Sequence, residues 1–168
     1  MEKTKKKKKT MIKYLFLLFT IFSFSQEHIL IGDSQTRYLA KYSTKIKRVP
    51  KLSQGGIGVV QLVYKVSSYP VSPNVKSVSI CIGVNDRYKD RGVQQLFIRL
   101  INTFPNAHFY IIQGSWGWGG VSKMNQNNLD KYYKQFLGTI IHPAIGKGDP
   151  HTDKKVYKTI MKSLENQI

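Results

Sequence analysis

The sequence has 168 residues, of which 41% are hydrophobic and 12% are aromatic. A chain of this length and composition can bury the core of one domain, and neither a second domain nor an internal repeat is indicated. The formal net charge of +18 favours an anionic partner, such as an acidic polysaccharide, a membrane surface or a nucleic acid. Because no nucleic-acid-binding motif of recognisable spacing accompanies the charge, we expect no nucleic acid among the partners.

The N-terminal segment has the composition of a signal peptide. A Lys-rich stretch, Lys5–Lys9, precedes an apolar run, Leu15–Phe24, and Ser23-Phe24-Ser25 supplies the small residues that a signal peptidase recognises. The apolar run is shorter than the roughly 20 residues that cross a bilayer. We therefore predict a signal peptide over residues 1–25, cleavage before Gln26, no stable membrane span, and a secreted or periplasmic product. Uncleaved attachment is the alternative.

The mature part, residues 26–168, is predicted to form a single domain that keeps twelve net positive charges. Translation from Met11 would give a more compact signal peptide than translation from Met1, so both starts are open. For the Lys-rich stretch, a nucleic-acid-binding tail is the remaining alternative.

The first predicted strand, His28–Ile31, is followed by Gly32-Asp33-Ser34 and a predicted helix over Gln35–Tyr42. Ser34 therefore falls on a strand-to-helix turn, where unpaired backbone N–H groups and the helix dipole favour negative charge. An alkoxide or an oxyanion is such a charge. The alternative is that Asp33-Ser34 is only a helix N-cap.

A second strand-to-helix unit is shorter. Its strand, Lys45–Val49, is predicted to end at Pro50. A glycine-rich turn with Gly55 and Gly56 then opens a helix over Val59–Ser67.

The third predicted strand, Val75–Ile82, is the most apolar. It contains the single cysteine, Cys81, which permits no internal disulfide and which we expect to be a buried strand residue and not a reactive thiol. Gly83-Val84-Asn85-Asp86 follows the strand, and an amphipathic helix is predicted over Gly92–Thr103.

The fourth predicted strand, Ala107–Ile112, leads into a glycine-rich loop that contains Trp116 and Trp118. A helix is predicted over Asn128–Ile141. The last predicted helix ends near Asn166.

This last helix is expected to begin at Thr152 or Asp153, either of which can cap it. Asp149-Pro150-His151 comes directly before it.

Short apolar strands that alternate with longer helices predict an α/β domain with three layers, α/β/α, around a mostly parallel sheet. In such sheets the loops after the carboxyl ends of the strands lie at one edge, where function collects. The segments that we expect to meet there are Gly32–Ser34, Gly55–Gly56, Gly83–Asp86 and the loop with the two tryptophans.

These motifs, in this order, resemble those of the SGNH, or GDSL-type, serine hydrolases. That family has Gly-Asp-Ser near the mature N-terminus, a glycine in the next strand-to-helix loop, Gly-x-Asn-Asp after the third strand, and a histidine just before the last helix. The match spans nearly all of residues 28–168. It implies a flavodoxin-like three-layer fold and ester hydrolysis by a serine nucleophile.

The resemblance also implies a role for each matching residue. Ser34 would be the nucleophile and His151 the general base. The oxyanion hole would consist of the backbone N–H groups of Ser34 and Gly56 and the side-chain amide of Asn85. Gly55 is the other candidate for the glycine, because the loop lacks the threonine that usually follows it.

One departure concerns the residue that orients the base. The family usually shows Asp-x-x-His, whereas here Gly148 lies three positions before His151 and the nearest carboxylate is Asp149. Three alternatives are open: Asp149 orients His151 through a shifted loop, the site is a Ser-His dyad, or the site is inactive.

Other polar residues have structural interpretations. We expect His28, His108 and His142 to be structural or surface residues, and Asp86 to fix its loop. No pair of His or Cys has metal-ligand spacing, so we expect neither a metal nor a cofactor.

Trp116 and Trp118 are candidate substrate-binding residues, because aromatic faces beside the site could stack on a sugar ring or an acyl chain. The alternative is that one or both fill the core. With export and a basic surface, they favour removal of an O-acetyl or other short acyl group from a carbohydrate, and an acidic polysaccharide in particular.

Three other functions are open at this point. The first is a lipid or thioester hydrolase, although the chain shows no long lid insertion. The second is a catalytically inactive carbohydrate-binding protein on the hydrolase fold, since fold does not secure function. The third is a membrane-surface protein held by its basic N-terminal region.

Overall fold

The computed structural model describes residues 27–87, 89–112, 134, 139–141, 151 and 154–168. The predicted signal peptide, Trp116, Trp118 and Asp149 lie outside the described residues, as do the predicted helix caps at positions 152 and 153. The described strands and longer helices, in chain order, are β1 (His28–Gly32), α1 (Gln35–Leu39), β2 (Lys47–Ser53), α2 (Val59–Ser67), β3 (Ser77–Cys81), α3 (Val93–Thr103), β4 (His108–Ile112), β5 (Thr139–Ile141) and α4 (Lys154–Glu165). Two short 3₁₀-helices, Ala40–Tyr42 and Val84–Asp86, follow α1 and β3.

The described strands form one parallel sheet of five, in the order β2-β1-β3-β4-β5. At its centre β1 and β3 pair without a register shift, from His28 opposite Ser77 to Gly32 opposite Cys81. This is the flavodoxin-like strand order, in which the chain reverses its direction of travel across the sheet between β1 and β3. Ligands of such sheets bind at this reversal, outside the carboxyl ends of the strands.

Successive residues of a strand point to opposite faces, so these apolar strands give the sheet two apolar faces. Helices cover both of them. On one face Ile29 and Val78 belong to a core that includes residues of α2 and α3. On the other face Leu30 and Cys81 belong to a core that includes residues of α1 and α4. The predicted α/β fold with a parallel sheet is therefore confirmed, and Cys81 is a free, buried cysteine as predicted.

The predicted end of β2 at Pro50 is wrong. The strand continues through Pro50 to Ser53, and its register against β1 shifts between Leu30 and Gly32. Proline lacks the N–H that a central strand needs for its second neighbour, but β2 lies at the edge of the sheet, where proline is tolerated. The sequence alone did not indicate that this strand has a single neighbour within the described sheet.

The predicted helix over Asn128–Ile141 is also wrong at its end. Thr139–Ile141 form β5, which pairs with β4 from Tyr110 opposite Thr139, while Lys134 is helical. The short run Thr-Ile-Ile is β-branched throughout, which suits a strand once an open edge of β4 is available. No helix in the described part of the chain is both long and apolar enough to cross a membrane.

Candidate active site

A serine and a histidine that are 117 positions apart in the sequence meet at the sheet edge. Ser34 follows β1 directly, and His151 lies shortly before α4, whose residues share a core with those of α1. Ser34 Oγ lies 2.8 Å from His151 Nε2, and both residues are partly buried. When Nε2 is unprotonated, the hydroxyl of Ser34 donates to it, which is the contact that a general base needs with its nucleophile.

Tyr38 supports the ring of His151. The centroid of the Tyr38 ring lies 5.0 Å from that of His151 and 5.8 Å from that of Tyr157, which is stacked nearly parallel to it. Tyr157 is only 1% exposed and belongs to the core under α4. The imidazole therefore packs on an aromatic pair anchored in the core. Tyr38 follows Ser34 by four positions, and residues at this spacing lie on the same face of a helix. This spacing is the sequence signal that could have placed Tyr38 beside the site.

The side chain that caps α1 belongs to Asp33 and not to Ser34. Asp33 Oδ1 accepts the backbone N–H of Gln35 at 2.9 Å, and its carbonyl accepts the hydroxyl of Thr36. Ser34 makes no side-chain cap hydrogen bond, and its hydroxyl instead meets His151. The helix-cap alternative therefore applies to Asp33, and Ser34 is left available for chemistry.

Asp33 is a buried carboxyl group at the floor of the site. It is 1% exposed, and Oδ2 has no hydrogen-bond partner among the described residues. Burial raises its pKa to about 7, the N–H of Gln35 opposes this rise, and the charge of Asp86 adds to it. Burial of Cys81 raises the pKa of its thiol well above the usual value, and the charge of Asp33 adds to this rise.

The loop after β2 lies against the Ser34 turn. The backbone N–H of Gln54 donates to the carbonyl of Gly32 at 3.0 Å, and a Cβ placed on Gly55 would lie 3.8 Å from that of Ser34. Gly56 has a positive φ of 75°, and a Cβ placed on it would meet nothing within 4 Å. Of the two candidate glycines, Gly55 is therefore the one on which a side chain would point toward Ser34.

The loop after β3 is fastened to the same segment. Asn85 Nδ2 donates to the carbonyl of Ile57 at 2.8 Å, which orients its amide with one of two N–H groups engaged. Asp86 Oδ2 accepts the backbone N–H of Val59 at 2.6 Å and so caps α2. A Cβ on Gly58 would overlap the Asp86 carboxylate, which explains the glycine there.

The other sequence-predicted residues divide into two groups. His28 Nδ1 lies 2.9 Å from Ser77 Oγ, and His108 Nε2 lies 2.8 Å from Thr139 Oγ1, so both join neighbouring strands away from Ser34. Trp116, Trp118, His142 and Asp149 lie outside the described residues. Within the described part of the chain, no group of three or more His, Cys, Asp or Glu could hold a metal ion.

Fold and site together define a flavodoxin-like α/β protein with a Ser-His pair where β1 and β3 end. No family model matches the sequence, and no curated protein matches it. Among solved structures, a proposed acylhydrolase from Bacteroides fragilis is similar at 10% identity and a TM-score of 0.50, over 84% of this chain and 89% of that one. The three-layer α/β fold that the resemblance to the SGNH hydrolases implies is thus confirmed.

Two further solved structures match less closely. A catalytic mutant of an acetylxylan esterase from Geobacillus stearothermophilus has 13% identity and a TM-score of 0.45, over 80% of this chain and 79% of that one. A carbohydrate esterase, described as having divergent catalytic and non-catalytic binding functions in its active site, has 12% identity and a TM-score of 0.49, over 88% of this chain and 70% of that one.

Proposed function

We propose that the protein is an exported SGNH-type serine esterase that removes O-acetyl or other short acyl groups from a carbohydrate. The single observation that carries this proposal is the 2.8 Å contact between Ser34 Oγ and His151 Nε2 at the carboxyl edge of the sheet. A serine hydroxyl is a weak nucleophile until a base takes its proton, and this contact supplies the base.

The proposed reaction has two halves. In the first, His151 takes the proton of Ser34 while Oγ attacks the ester carbonyl carbon. The bond to the sugar oxygen then breaks, His151 gives its proton to that oxygen, and the acyl group stays on Ser34. In the second, His151 takes a proton from water, the resulting hydroxide attacks the acyl-serine, and the acid leaves as Ser34 regains its proton.

Each tetrahedral intermediate carries a negative charge on the former carbonyl oxygen. We assign its stabilisation to the backbone N–H of Ser34, the N–H of Gly56 or Gly55, and the amide of Asn85. The hydrogen bonds between the three loops support this assignment, because they hold the donors in place before the charge develops.

Asp149 is proposed to orient His151, with a Ser-His dyad as the alternative. Trp116 and Trp118 are proposed to contact the sugar or the acyl group. Export by the predicted signal peptide is likewise part of the proposal. The predicted boundary of the domain is supported by Glu27, the second residue after the predicted cleavage site, whose carbonyl accepts the N–H groups of Lys76 and Ser77.

The test is hydrolysis of p-nitrophenyl acetate, butyrate and octanoate by the domain 26–168. We expect the acetate to be cleaved fastest, and cleavage to be lost in His151→Ala. In a comparable triad, loss of the orienting carboxylate costs about 10⁴ in kcat, so a loss of this size in Asp149→Ala would favour the triad. A preference for octanoate would favour a lipid hydrolase. A parent no faster than Ser34→Ala on every ester would contradict the proposal and favour the carbohydrate-binding alternative.

A further inference from the structure

A basic groove begins at one residue of the proposed oxyanion hole. It has a volume of about 520 Å³, within the range of ligand sites, and Asn85 belongs to its wall. The groove opens between the start of α2 and the loop after β3. Its lining residues are Val60, Gln61, Asn85, Asp86, Arg87, Lys89 and Arg91.

The charge of this groove is strongly one-sided. Arg87, Lys89 and Arg91 are all exposed, whereas Asp86, the carboxylate among the described lining residues, accepts the N–H of Val59 at 2.6 Å. The carboxylate is therefore engaged in capping α2 and offsets the three cations only in part. When cations line a cleft whose walls have a low dielectric constant, the local concentration of anions in the cleft rises.

The backbone under these cations is held in a defined shape. The N–H of Arg87 donates to the carbonyl of Val84, and the N–H of Lys89 donates to that of Asp86, both at 3.1 Å. Arg87 has a positive φ of 52°, a conformation that costs a non-glycine residue free energy. A residue held in this conformation against its preference is compatible with a binding role for its side chain.

We propose that Arg87, Lys89 and Arg91 bind an anionic group of the carbohydrate that carries the ester, so that the preferred substrate is an acylated acidic polysaccharide. This inference rests on the proposed function, because it takes Asn85 as a contact of the reacting carbonyl. Since Asn85 lines the groove as well, the anion lies on the acylated sugar or on the sugar next to it. A carboxylate and a sulfate ester share the chemistry that two arginine side chains recognise.

The experiment compares polymers that differ only in charge. Polygalacturonate, its carboxyl-reduced neutral form, and the neutral form after sulfation are acetylated to the same degree. For each, kcat/KM for acetate release is divided by kcat/KM for p-nitrophenyl acetate. We expect the acidic polymers to exceed the neutral one by about tenfold or more, since each exposed ion pair contributes roughly two- to fivefold. The better of the two acidic polymers identifies the anion.

Two triple variants separate the groove from the general charge of the protein. Arg87→Gln/Lys89→Gln/Arg91→Gln should abolish the preference for acidic polymers. Lys155→Gln/Lys158→Gln/Lys162→Gln removes the same charge from exposed positions of α4 and should keep the preference within about twofold. Equal losses in both variants, or a parent with no preference, would overturn the inference. Thermal unfolding of each variant confirms that it folds.

Failure of the proposed function gives a different result. If the parent cleaves p-nitrophenyl acetate no faster than Ser34→Ala, the esterase proposal fails. The groove is then judged by the Kd for unacetylated polygalacturonate. A Kd raised about tenfold in the groove variant and unchanged in the α4 variant supports the groove, and equal Kd values in both variants overturn it.

Discussion

Replacing Asp33 by asparagine should remove a large pH dependence from the stability of the fold. The carboxyl group of Asp33 is buried, and its pKa is raised to about 7 from an ordinary value of 3.8. The folded protein therefore binds this proton more tightly than the unfolded chain does. Stability falls as the pH rises from about 4 to about 7, because ionisation of Asp33 is unfavourable in the folded state.

The size of the effect follows from the two pKa values. A shift of one pKa unit corresponds to about 1.4 kcal/mol, so the parent should lose about 3 kcal/mol of unfolding free energy between pH 5 and pH 8 through this group. Asparagine keeps the Oδ1 acceptor for the N–H of Gln35 and has almost the same shape, but it does not titrate. The variant should lack this loss.

Urea unfolding at pH 5, 6, 7 and 8 measures the difference. The unfolding free energy of Asp33→Asn minus that of the parent should rise by about 3 kcal/mol across this range. Titrations common to both proteins cancel in the difference. Asp90→Asn, which removes the charge of an exposed carboxylate, is the matched control. A difference for Asp33→Asn that changes with pH no more than the difference for Asp90→Asn would refute the raised pKa and its cause.

Three further variants test the contacts around the site. Tyr38→Ala should lower kcat about 10- to 100-fold with little change in KM, because it removes the packing that positions His151. Tyr38→Phe keeps the ring and should keep most of the rate, so equal rates in the two variants would exclude this role. Asp86→Ala should lower the unfolding free energy, measured with urea, by about 1–2 kcal/mol because the cap of α2 is lost, and Asp86→Asn should keep most of that stability. An unfolding free energy of Asp86→Ala equal to that of the parent would contradict the cap. Asn85→Ala should lower kcat for p-nitrophenyl acetate about 10²- to 10³-fold, and an unchanged kcat would remove Asn85 from the oxyanion hole.

The sequence predicted the fold and the meeting of the main motifs because both depend on local patterns and general topology. Short apolar runs indicated parallel strands, and the carboxyl ends of parallel strands share one edge. This reasoning was sufficient to predict that Ser34, Asn85, Gly55 and Gly56 lie at the same edge of the sheet. His151 was found through the resemblance to a family, not through its spacing.

The features that the sequence did not predict depend on distant neighbours. Pro50 lies inside β2 because that strand has a single partner among the strands that the structure describes. Thr139–Ile141 form a strand because β4 offers an open edge. The contact of the Tyr38 ring with the His151 ring needs α1 and α4 to pack together. The raised pKa of Asp33 depends on the burial of its carboxyl group in the folded domain.

The most direct test of the central claim is labelling of the domain 26–168 with a serine-directed fluorophosphonate, followed by mass spectrometry of the peptides. An activated nucleophile predicts a single adduct on Ser34, and labelling slowed about 100-fold or more in His151→Ala, since the base is what makes the hydroxyl reactive. Denatured parent protein is the control and should stay unlabelled. Labelling of the folded parent no faster than that of Ser34→Ala would contradict the claim that Ser34 and His151 form a catalytic pair.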